Sequence, residues 1–235
     1  MAAALAAAAL AIGLAACSSG EQEEKGSSSD AESREEAEEK AARDLARGDC
    51  SFDSELPLDV YVLRSFERGP EHLGSTLSEE PLEVPHCLAW WVQPVGEVDM
   101  ARLREEIEAK DIPAVALPDA TDADLAHLEG LSHLVTLLLD GTKVTDAGLV
   151  HLEGLSGLGG LGLSSTAVTD AGLAHLAKLK GLHYLWLSGT KVTDAGLAHL
   201  EGLTRLQELH LRGTGVTDPG VERLREALPD TKIVH

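Results

Sequence analysis

The pattern of apolar positions changes twice along the 235-residue chain. The first sixteen residues are almost all apolar, a polar stretch follows, and from residue 111 onward leucines and a Val-Thr-Asp tripeptide recur every 24 residues. The two series are Leu134, Leu158, Leu182 and Leu206, and Val144, Val168, Val192 and Val216. A fixed period of this length is typical of stacked units that bury one continuous core between them.

Each repeat contains a short strand followed by a short helix. It reads Leu-x-x-Leu-x-Leu-x-x-Thr-x-Val-Thr-Asp. Alternation in the Leu-x-Leu portion predicts a strand whose leucines point inward and whose intervening residues point outward. The second threonine predicts a helix N-cap, and the aspartate after it is expected to face the positive end of the helix dipole. A shorter first unit begins at Ile112, and residues 228–234 predict a closing strand.

This template resembles the leucine-rich-repeat family. Threonine stands where asparagine or cysteine is usual, at Thr142, Thr166, Thr190 and Thr214. The Thr-Asp-Ala-Gly-Leu segment is similar to a subtype found in bacterial repeat proteins. The resemblance covers residues 111–235 and implies an α/β leucine-rich-repeat solenoid of about five 24-residue coils. It also implies a module that binds a protein or peptide on the concave face of its sheet.

Residues 49–110 hold five of the seven aromatic residues of the chain, and two predicted strands and a helix indicate a small N-terminal α/β cap. Apolar runs at residues 60–63 and 87–92 predict buried strands. Asp99 predicts the N-cap of a helix that places Leu103 and Ile107 on one face. Trp90 and Trp91 are interpreted as core residues because they lie in an apolar strand.

The apolar run at the N-terminus is interpreted as a signal peptide, residues 1–16, because it is too short to span a bilayer as a helix. It ends in Leu14-Ala15-Ala16-Cys17, which resembles the lipobox of bacterial lipoproteins. The resemblance implies a lipid on Cys17 and attachment to the bacterial cell envelope, with the outer membrane favoured. An ordinary signal peptide and an Ala-rich tail are the alternatives. Residues 17–48 then form an acidic, Ser/Glu-rich tether.

The three cysteines allow one disulfide. If Cys17 carries the lipid, Cys50 and Cys87 remain as a pair in an oxidising compartment. A bridge between them would add about 4 kcal/mol of stability on the chain-entropy model. The alternative is two free, buried thiols.

Composition narrows the classes of partner. Forty acidic against 19 basic residues give a net charge of -21, which is spread over the whole chain. A chain this acidic is not expected to bind nucleic acid or to adsorb on an anionic membrane surface. The sequence contains no catalytic or cofactor motif. We therefore expect that the protein is not an enzyme and binds neither a cofactor nor a small-molecule substrate. The G-x-G-x-x-G sequence at residues 157–162 leads into a strand rather than opening a helix, and is discounted.

Two repeated series could be mistaken for metal sites. Four histidines recur with the repeat, at His127, His151, His175 and His199, and the repeated aspartates form a second series. Stacked coils bring equivalent positions close together by construction, so neither series requires a metal ion. We therefore expect no metal site.

The outward strand positions supply the candidate binding residues. The repeat region has only two aromatic residues, Tyr184 and Trp186, and both fall at outward positions of one strand. The next strand carries Glu208, His210 and Arg212, and the same register makes Asp140 an outward residue of an earlier strand. Tyrosine, tryptophan and arginine are enriched at binding hot spots. The alternative is that the rings cover backbone exposed at neighbouring strand glycines.

Two other functions fit the same sequence. One is a structural, envelope-spacing lipoprotein without a specific partner. The other is an acidic inhibitor that docks on a basic protein, as its acidity and repeats resemble the ribonuclease-inhibitor horseshoe.

Overall fold

The structure is a computed structural model that describes residues 50–52, 54, 56–63, 71–76, 82–84 and 89–235. Its strands are β1 (Cys50–Phe52), β2 (Leu58–Leu63), β3 (Glu71–Ser75), β4 (Leu82–Val84), β5 (Ala89–Pro94), β6 (Ala114–Ala116), β7 (Thr136–Leu138), β8 (Gly160–Gly162), β9 (Tyr184–Trp186), β10 (Glu208–His210) and β11 (Lys232–Val234). Its α-helices are α1 (Met100–Ala109), α2 (Asp122–Leu125), α3 (Asp146–Leu149), α4 (Asp170–Leu176), α5 (Asp194–Leu197) and α6 (Asp218–Ala227). Short 3-10 helices continue α2 and α3 at Ala126–Leu128 and Val150–Leu152.

Several sequence predictions fall outside these residues. The signal peptide, the lipidated Cys17, the tether and Cys87 are not among the described residues, and Cys50 is described by its backbone alone. Lipidation and the Cys50–Cys87 disulfide therefore stay predictions. Within the described residues, none of the helices is both long enough and apolar enough to cross a bilayer.

One nine-stranded sheet runs the length of the described chain, in the order β11-β10-β9-β8-β7-β6-β5-β2-β3. Strands β5 to β11 are parallel, and β2 joins β5 and β3 in antiparallel pairs. This alternation of parallel strands with helices confirms the α/β solenoid. The N-terminal unit does more than cover one end, because three of its strands extend the repeat sheet.

The core is a column of leucines, as the repeat pattern predicts. The inward leucine at the centre of each repeat strand is fully buried: Leu137, Leu161, Leu185 and Leu209 are all 0% exposed. The column continues into the N-terminal unit through Leu58, Val60 and Val92, which belong to the same cluster. Leu103 and Ile107 of α1 are also fully buried, which confirms the predicted face of that helix. Strand β11 confirms the predicted closing strand.

The predicted N-caps are present at the helices. Asp99 accepts from the backbone N–H groups of Ala101 and Arg102 at the start of α1. Thr145, Thr169 and Thr193 each accept from the backbone N–H two residues further on, at 3.3 Å. Thr217 caps α6 through the N–H of Gly220. Each cap satisfies one of the donors that a helix start leaves free.

The repeated aspartates do more than face a helix dipole. Each binds the capping threonine of the next coil: one carboxylate oxygen accepts from the threonine N–H at 2.7–2.8 Å, and the other accepts from its hydroxyl at 2.6–2.7 Å. We call each pair an Asp–Thr clamp. The four clamps are Asp122–Thr145, Asp146–Thr169, Asp170–Thr193 and Asp194–Thr217. The clamps tie every coil to its neighbour on the helical side.

The glycine of the Thr-Asp-Ala-Gly segment is required by the clamp of the coil before it. A Cβ placed at Gly148 would lie 3.0 Å from the Cα of Asp122, and one at Gly196 would lie 3.1 Å from the Cα of Asp170. Real Cβ contacts are rarely this short, and a backbone atom cannot rotate away. Each residue of the segment therefore has its own role. The threonine caps the helix, the aspartate binds the next coil, and the glycine allows the preceding coil to pack closely.

Threonine at the usual asparagine or cysteine position satisfies its own turn. The buried hydroxyls of Thr142, Thr166 and Thr190 donate to the carbonyls of Leu139, Leu163 and Leu187 at 2.7 Å. Thr214 makes the equivalent bond to Leu211. A short side chain that bonds three residues back keeps the interior filled and leaves its hydroxyl paired.

Candidate functional site

The outward residues of the repeat strands form two rows on the face of the sheet opposite the leucine column. Strand pairing aligns Thr136, Gly160, Tyr184, Glu208 and Lys232 in the first row. It aligns Leu138, Gly162, Trp186, His210 and Val234 in the second. We call this surface the concave face, since the strands of such solenoids line the inside of a horseshoe.

Tyr184 and Trp186 lie on the concave face, at the positions the repeat register gives them. Their rings stack with centroids 6.0 Å apart and planes 16° apart. The Tyr184 hydroxyl donates to Gln207 Oε1 at 2.8 Å, and the Trp186 ring lies 6.3 Å from that of His210. The side chains are only 6% and 4% exposed, so they are not the protruding rings that outward positions lead one to expect. Stacking and these contacts hold them close to the sheet.

A charged group borders the aromatic pair. Glu208 Oε1 lies 2.7 Å from Lys232 Nζ and 3.1 Å from His210 Nε2. Burial acts to raise the pKa of Glu208, but the hydrogen bonds and charges of Lys232 and His210 outweigh it and hold the pKa below its ordinary value. Glu208 is therefore an ionised acceptor at neutral pH, fixed beside the rings.

The structure brings four of the six candidate binding residues together. Tyr184, Trp186, Glu208 and His210 lie on adjacent strands, whereas Arg212 is exposed just beyond the end of β10. Asp140 lies apart, beyond the end of β7, and its carboxylate accepts from the backbone N–H of Ser164 at 2.8 Å. Asp140 therefore holds the turn of the next coil.

The concave face carries a second aromatic pair, which was not predicted from the sequence. Val60 and Val92 face the leucine column. Tyr61 and Trp91 are their neighbours along β2 and β5, so they lie on the opposite side of the sheet. Their rings stack 5.3 Å apart with planes 9° apart, and His72 lies 5.1 Å from Tyr61. Burial, and then the charge of Asp59, raise the pKa of Tyr61. The alternation at residues 60–62 could have located Tyr61 once its strand was known to join the repeat sheet.

Trp91 is buried, as expected, but not in the leucine column. It is 5% exposed and belongs to a separate cluster with Ala114, Ala116 and Leu138. The side chain of Trp90, which was also interpreted as core, lies outside what the structure describes. Trp91 thus contributes to the concave face and not to the main core.

Mostly small side chains form the floor between the two aromatic pairs, with Leu138 as the one large apolar residue. Strands β6, β7 and β8 contribute Ala114, Ala116, Thr136, Leu138, Gly160 and Gly162. Two polar atoms at this face have no hydrogen-bond partner in the described part of the chain, the Thr136 hydroxyl and Trp186 Nε1. Both residues are more than nine-tenths buried. Unpaired buried groups are costly, so this face carries unused hydrogen-bonding capacity.

Two of the four repeated histidines, His151 and His175, make contacts between coils. His151 Nδ1 lies 2.5 Å from Glu129 Oε1, and His175 Nδ1 lies 2.7 Å from Glu153 Oε1. Glu153 also pairs with Lys178, and the hydrogen bonds from Lys178 and His175 lower its pKa. The described residues contain no group of three His, Cys, Asp or Glu side chains placed to hold a metal ion.

Comparison with known proteins agrees with this geometry. Residues 203–224 match the family model described as Leucine Rich repeat. No significant match is found among curated proteins. Repeated parallel strands over a leucine column, with the helices on the other side, define a repeat solenoid. The chain contains a leucine-rich-repeat domain.

Three of the solved structures that match this chain come from two bacteria. A leucine-rich-repeat protein of Leptospira interrogans is 22% identical, with a TM-score of 0.42, and covers 61% of this chain and 35% of its own. An internalin, inlF, of Listeria monocytogenes is 18% identical, with a TM-score of 0.37, and covers 58% and 50%. Internalin C2 of the same species is 19% identical, with a TM-score of 0.36, and covers 56% and 73%. This chain thus spans half or less of the first two proteins.

Proposed function

We propose that this protein is a non-enzymatic interaction module of the bacterial envelope, which binds a protein or peptide on its concave face. Solenoids of this type use the extended surface of the sheet for binding. The aromatic, charged and small residues of the face offer stacking surface, fixed charges and room for an approaching backbone.

The observation that carries the proposal is the pair of unused polar groups at the centre of the face. The Trp186 N–H and the Thr136 hydroxyl lack partners among the described residues, and Trp186 lies between Tyr184 and His210. The indole N–H is buried as the rings now lie, so a peptide carbonyl would reach it only by displacing neighbouring side chains, and would then satisfy a group that is otherwise costly to bury. Tryptophan in this setting is the residue type on which binding energy concentrates.

The test is substitution of Trp186 and Tyr184 by alanine in the full chain. Partners are captured from envelope extract and identified, and the affinity of the purified partner is then titrated. We expect the double variant to bind at least thirtyfold more weakly, because truncated hot spots cost about 2 kcal/mol or more. Trp186→Phe keeps an aromatic ring but lacks the N–H, and is expected to lose about fivefold.

Val150→Ala is the matched control, because Val150 is 43% exposed on the helical side of the solenoid. Thermal unfolding of every variant separates lost binding from lost fold. Unchanged affinity in a folded double variant would refute the binding site. A flat profile across all concave positions would favour the spacer without a partner, and capture of basic proteins that salt abolishes would favour the acidic inhibitor.

We further propose that the module is lipid-anchored through Cys17. The support is the Leu-Ala-Ala-Cys sequence and the polar tether after it. Mass spectrometry of the mature N-terminus should find a diacylated Cys17 and no residues 1–16. An intact Met1 in the natural host would contradict both the anchor and the envelope location.

A further inference from the structure

A cavity of about 520 Å³ lies away from the concave face, where the N-terminal unit meets the first repeat. It opens between the loop that follows β5 and the turn that follows β6. Its volume falls within the range of small-molecule sites, which is about 300–1,000 Å³. Neither the leucine column nor the concave face explains it.

The floor of the cavity is apolar. Leu117 and Ala120 are 4% and 5% exposed and belong to the main core, so their positions are fixed. Val98 and Met100 complete this surface and pack partly buried against the same core. Methionine adapts to irregular shapes, which suits a surface that receives a ligand. The floor therefore offers contact area to the apolar body of a small molecule.

The rim of the cavity is acidic. Glu97 and Asp119 are exposed and make no hydrogen bond or ion pair with the rest of the described chain, whereas Asp124 already accepts from the N–H and hydroxyl of Thr121. The described residues that line the cavity include no lysine, arginine or histidine. Two unpaired carboxylates at the mouth of an apolar cavity favour a positive charge and repel a negative one.

The helix starts nearby do not reverse this preference. Helix α1 begins beside the cavity at Met100, but Asp99 already accepts from its first free N–H groups. Helix α2 is a single turn whose start is closed by Thr121 and Asp124. At α1 the carboxylate of Asp99 occupies the first donors, and at α2 the carboxylate of Asp124 lies beside the helix start, so an anion would be repelled at both ends.

We propose that this cavity binds a small organic cation, an ammonium or guanidinium group carried on an apolar body. The apolar body lies on Val98, Met100 and Leu117, and the cation faces Glu97 and Asp119. The same chemistry is offered by a free amine or by a basic side chain of a peptide. The site is separate from the proposed concave binding face, and either can fail without the other.

The test compares three ligands of nearly the same shape and different charge. Phenethylammonium, 2-phenylethanol and 3-phenylpropionate are titrated into the ¹⁵N-labelled full chain, and the backbone amide shifts are followed by NMR. We expect the cation to bind in the millimolar range and to shift the amides of residues 96–98 and 117–120. The neutral alcohol should bind about fivefold more weakly, and the anion should not bind.

Glu97→Gln with Asp119→Asn should weaken binding of the cation about fivefold and leave binding of the alcohol unchanged. Glu201→Gln with Asp230→Asn is the matched control, since it removes the same charge from exposed positions elsewhere. Equal loss in the control, or shifts spread over the whole surface, would show simple attraction to an acidic protein and overturn the proposal. Equal binding of cation and alcohol would do the same.

N-acetylarginine amide then separates the two sources of the ligand. Binding at the same amides with similar affinity shows that the cavity accepts the basic side chain of a peptide, whereas a clear preference for phenethylammonium favours a free amine. Failure of both cations to bind to the folded chain overturns the site.

Discussion

Replacement of Gly196 by alanine is expected to destabilise the protein by about 2 kcal/mol, although alanine is the better helix former. Helix propensity alone favours alanine over glycine by about 1 kcal/mol. At Gly196, however, the new Cβ would contact Asp170 Oδ1 and lie 3.0 Å from its Cγ and 3.1 Å from its Cα. Overpacking of this kind costs about 1–3 kcal/mol, and relief would require the two coils to separate.

Urea unfolding monitored by circular dichroism measures the effect. Gly154→Ala is the control, because a Cβ there would meet nothing within 4 Å. This second variant should be neutral or slightly more stable, since alanine reduces the conformational freedom of the unfolded chain. Equal stability of the two variants would show that the coils do not need a glycine at the clamp.

Loss of a single Asp–Thr clamp is expected to have an effect of similar size. Asp170→Ala removes the acceptor of two hydrogen bonds, from the N–H and the hydroxyl of Thr193, each 2.7 Å long. Hydrogen bonds to a charged group are worth about 1.5–3 kcal/mol each, but Thr193 is exposed and water replaces part of the loss. We expect a net destabilisation of about 2 kcal/mol. Asp170→Asn keeps only one accepting oxygen and should lose about half as much.

Asp230→Ala, at an exposed turn, is the control and should leave the free energy of unfolding within about 0.5 kcal/mol of the unsubstituted protein.

An acid titration gives an independent readout. Hydrogen bonds from the backbone and side chain of Thr217 hold the pKa of the equivalent Asp194 below its ordinary value. A lowered folded-state pKa stabilises the protein above the unfolded-state pKa, and this contribution is lost as pH falls through the folded value. Stability that stays constant below about pH 4 would contradict an ionised Asp194 in its clamp.

The two substitutions should also be coupled. The atoms of Asp170 that Gly196→Ala would contact include the carboxylate that Asp170→Ala removes. The double variant is therefore expected to lose less stability than the sum of the single losses, as for other residues in direct contact.

The repeat sheet could be predicted because the same pattern of leucines and threonines recurs in every coil. Leucine alternation determined the strands and their inward positions, and the threonine before each helix located the caps. The role of Asp170 could not be read in the same way, because its partner Thr193 lies 23 residues away and meets it only after the coils stack. A local pattern shows which helix an aspartate begins, but not which coil it binds.

The binding face was only partly predictable for a similar reason. Tyr184 and Trp186 were assigned to the correct face from strand register, while their burial depends on how the side chains lie against their neighbours. Tyr61 and Trp91 were not predicted to lie on this face, because the N-terminal unit lacks the 24-residue period. Without that period, its sequence does not indicate that its strands continue the repeat sheet. The cavity arises between two loops, and a one-dimensional pattern carries no trace of it.

The Asp–Thr clamps have a consequence for how such a chain changes in evolution. Because every clamp joins a coil to the next through the same pair of residues, duplication or deletion of one whole 24-residue unit leaves both flanking interfaces chemically intact. A deletion that removed only the aspartate or only the threonine of a coil would leave one clamp without its partner. The domain can therefore grow or shrink by whole coils while each remaining coil keeps the same contacts with its neighbours.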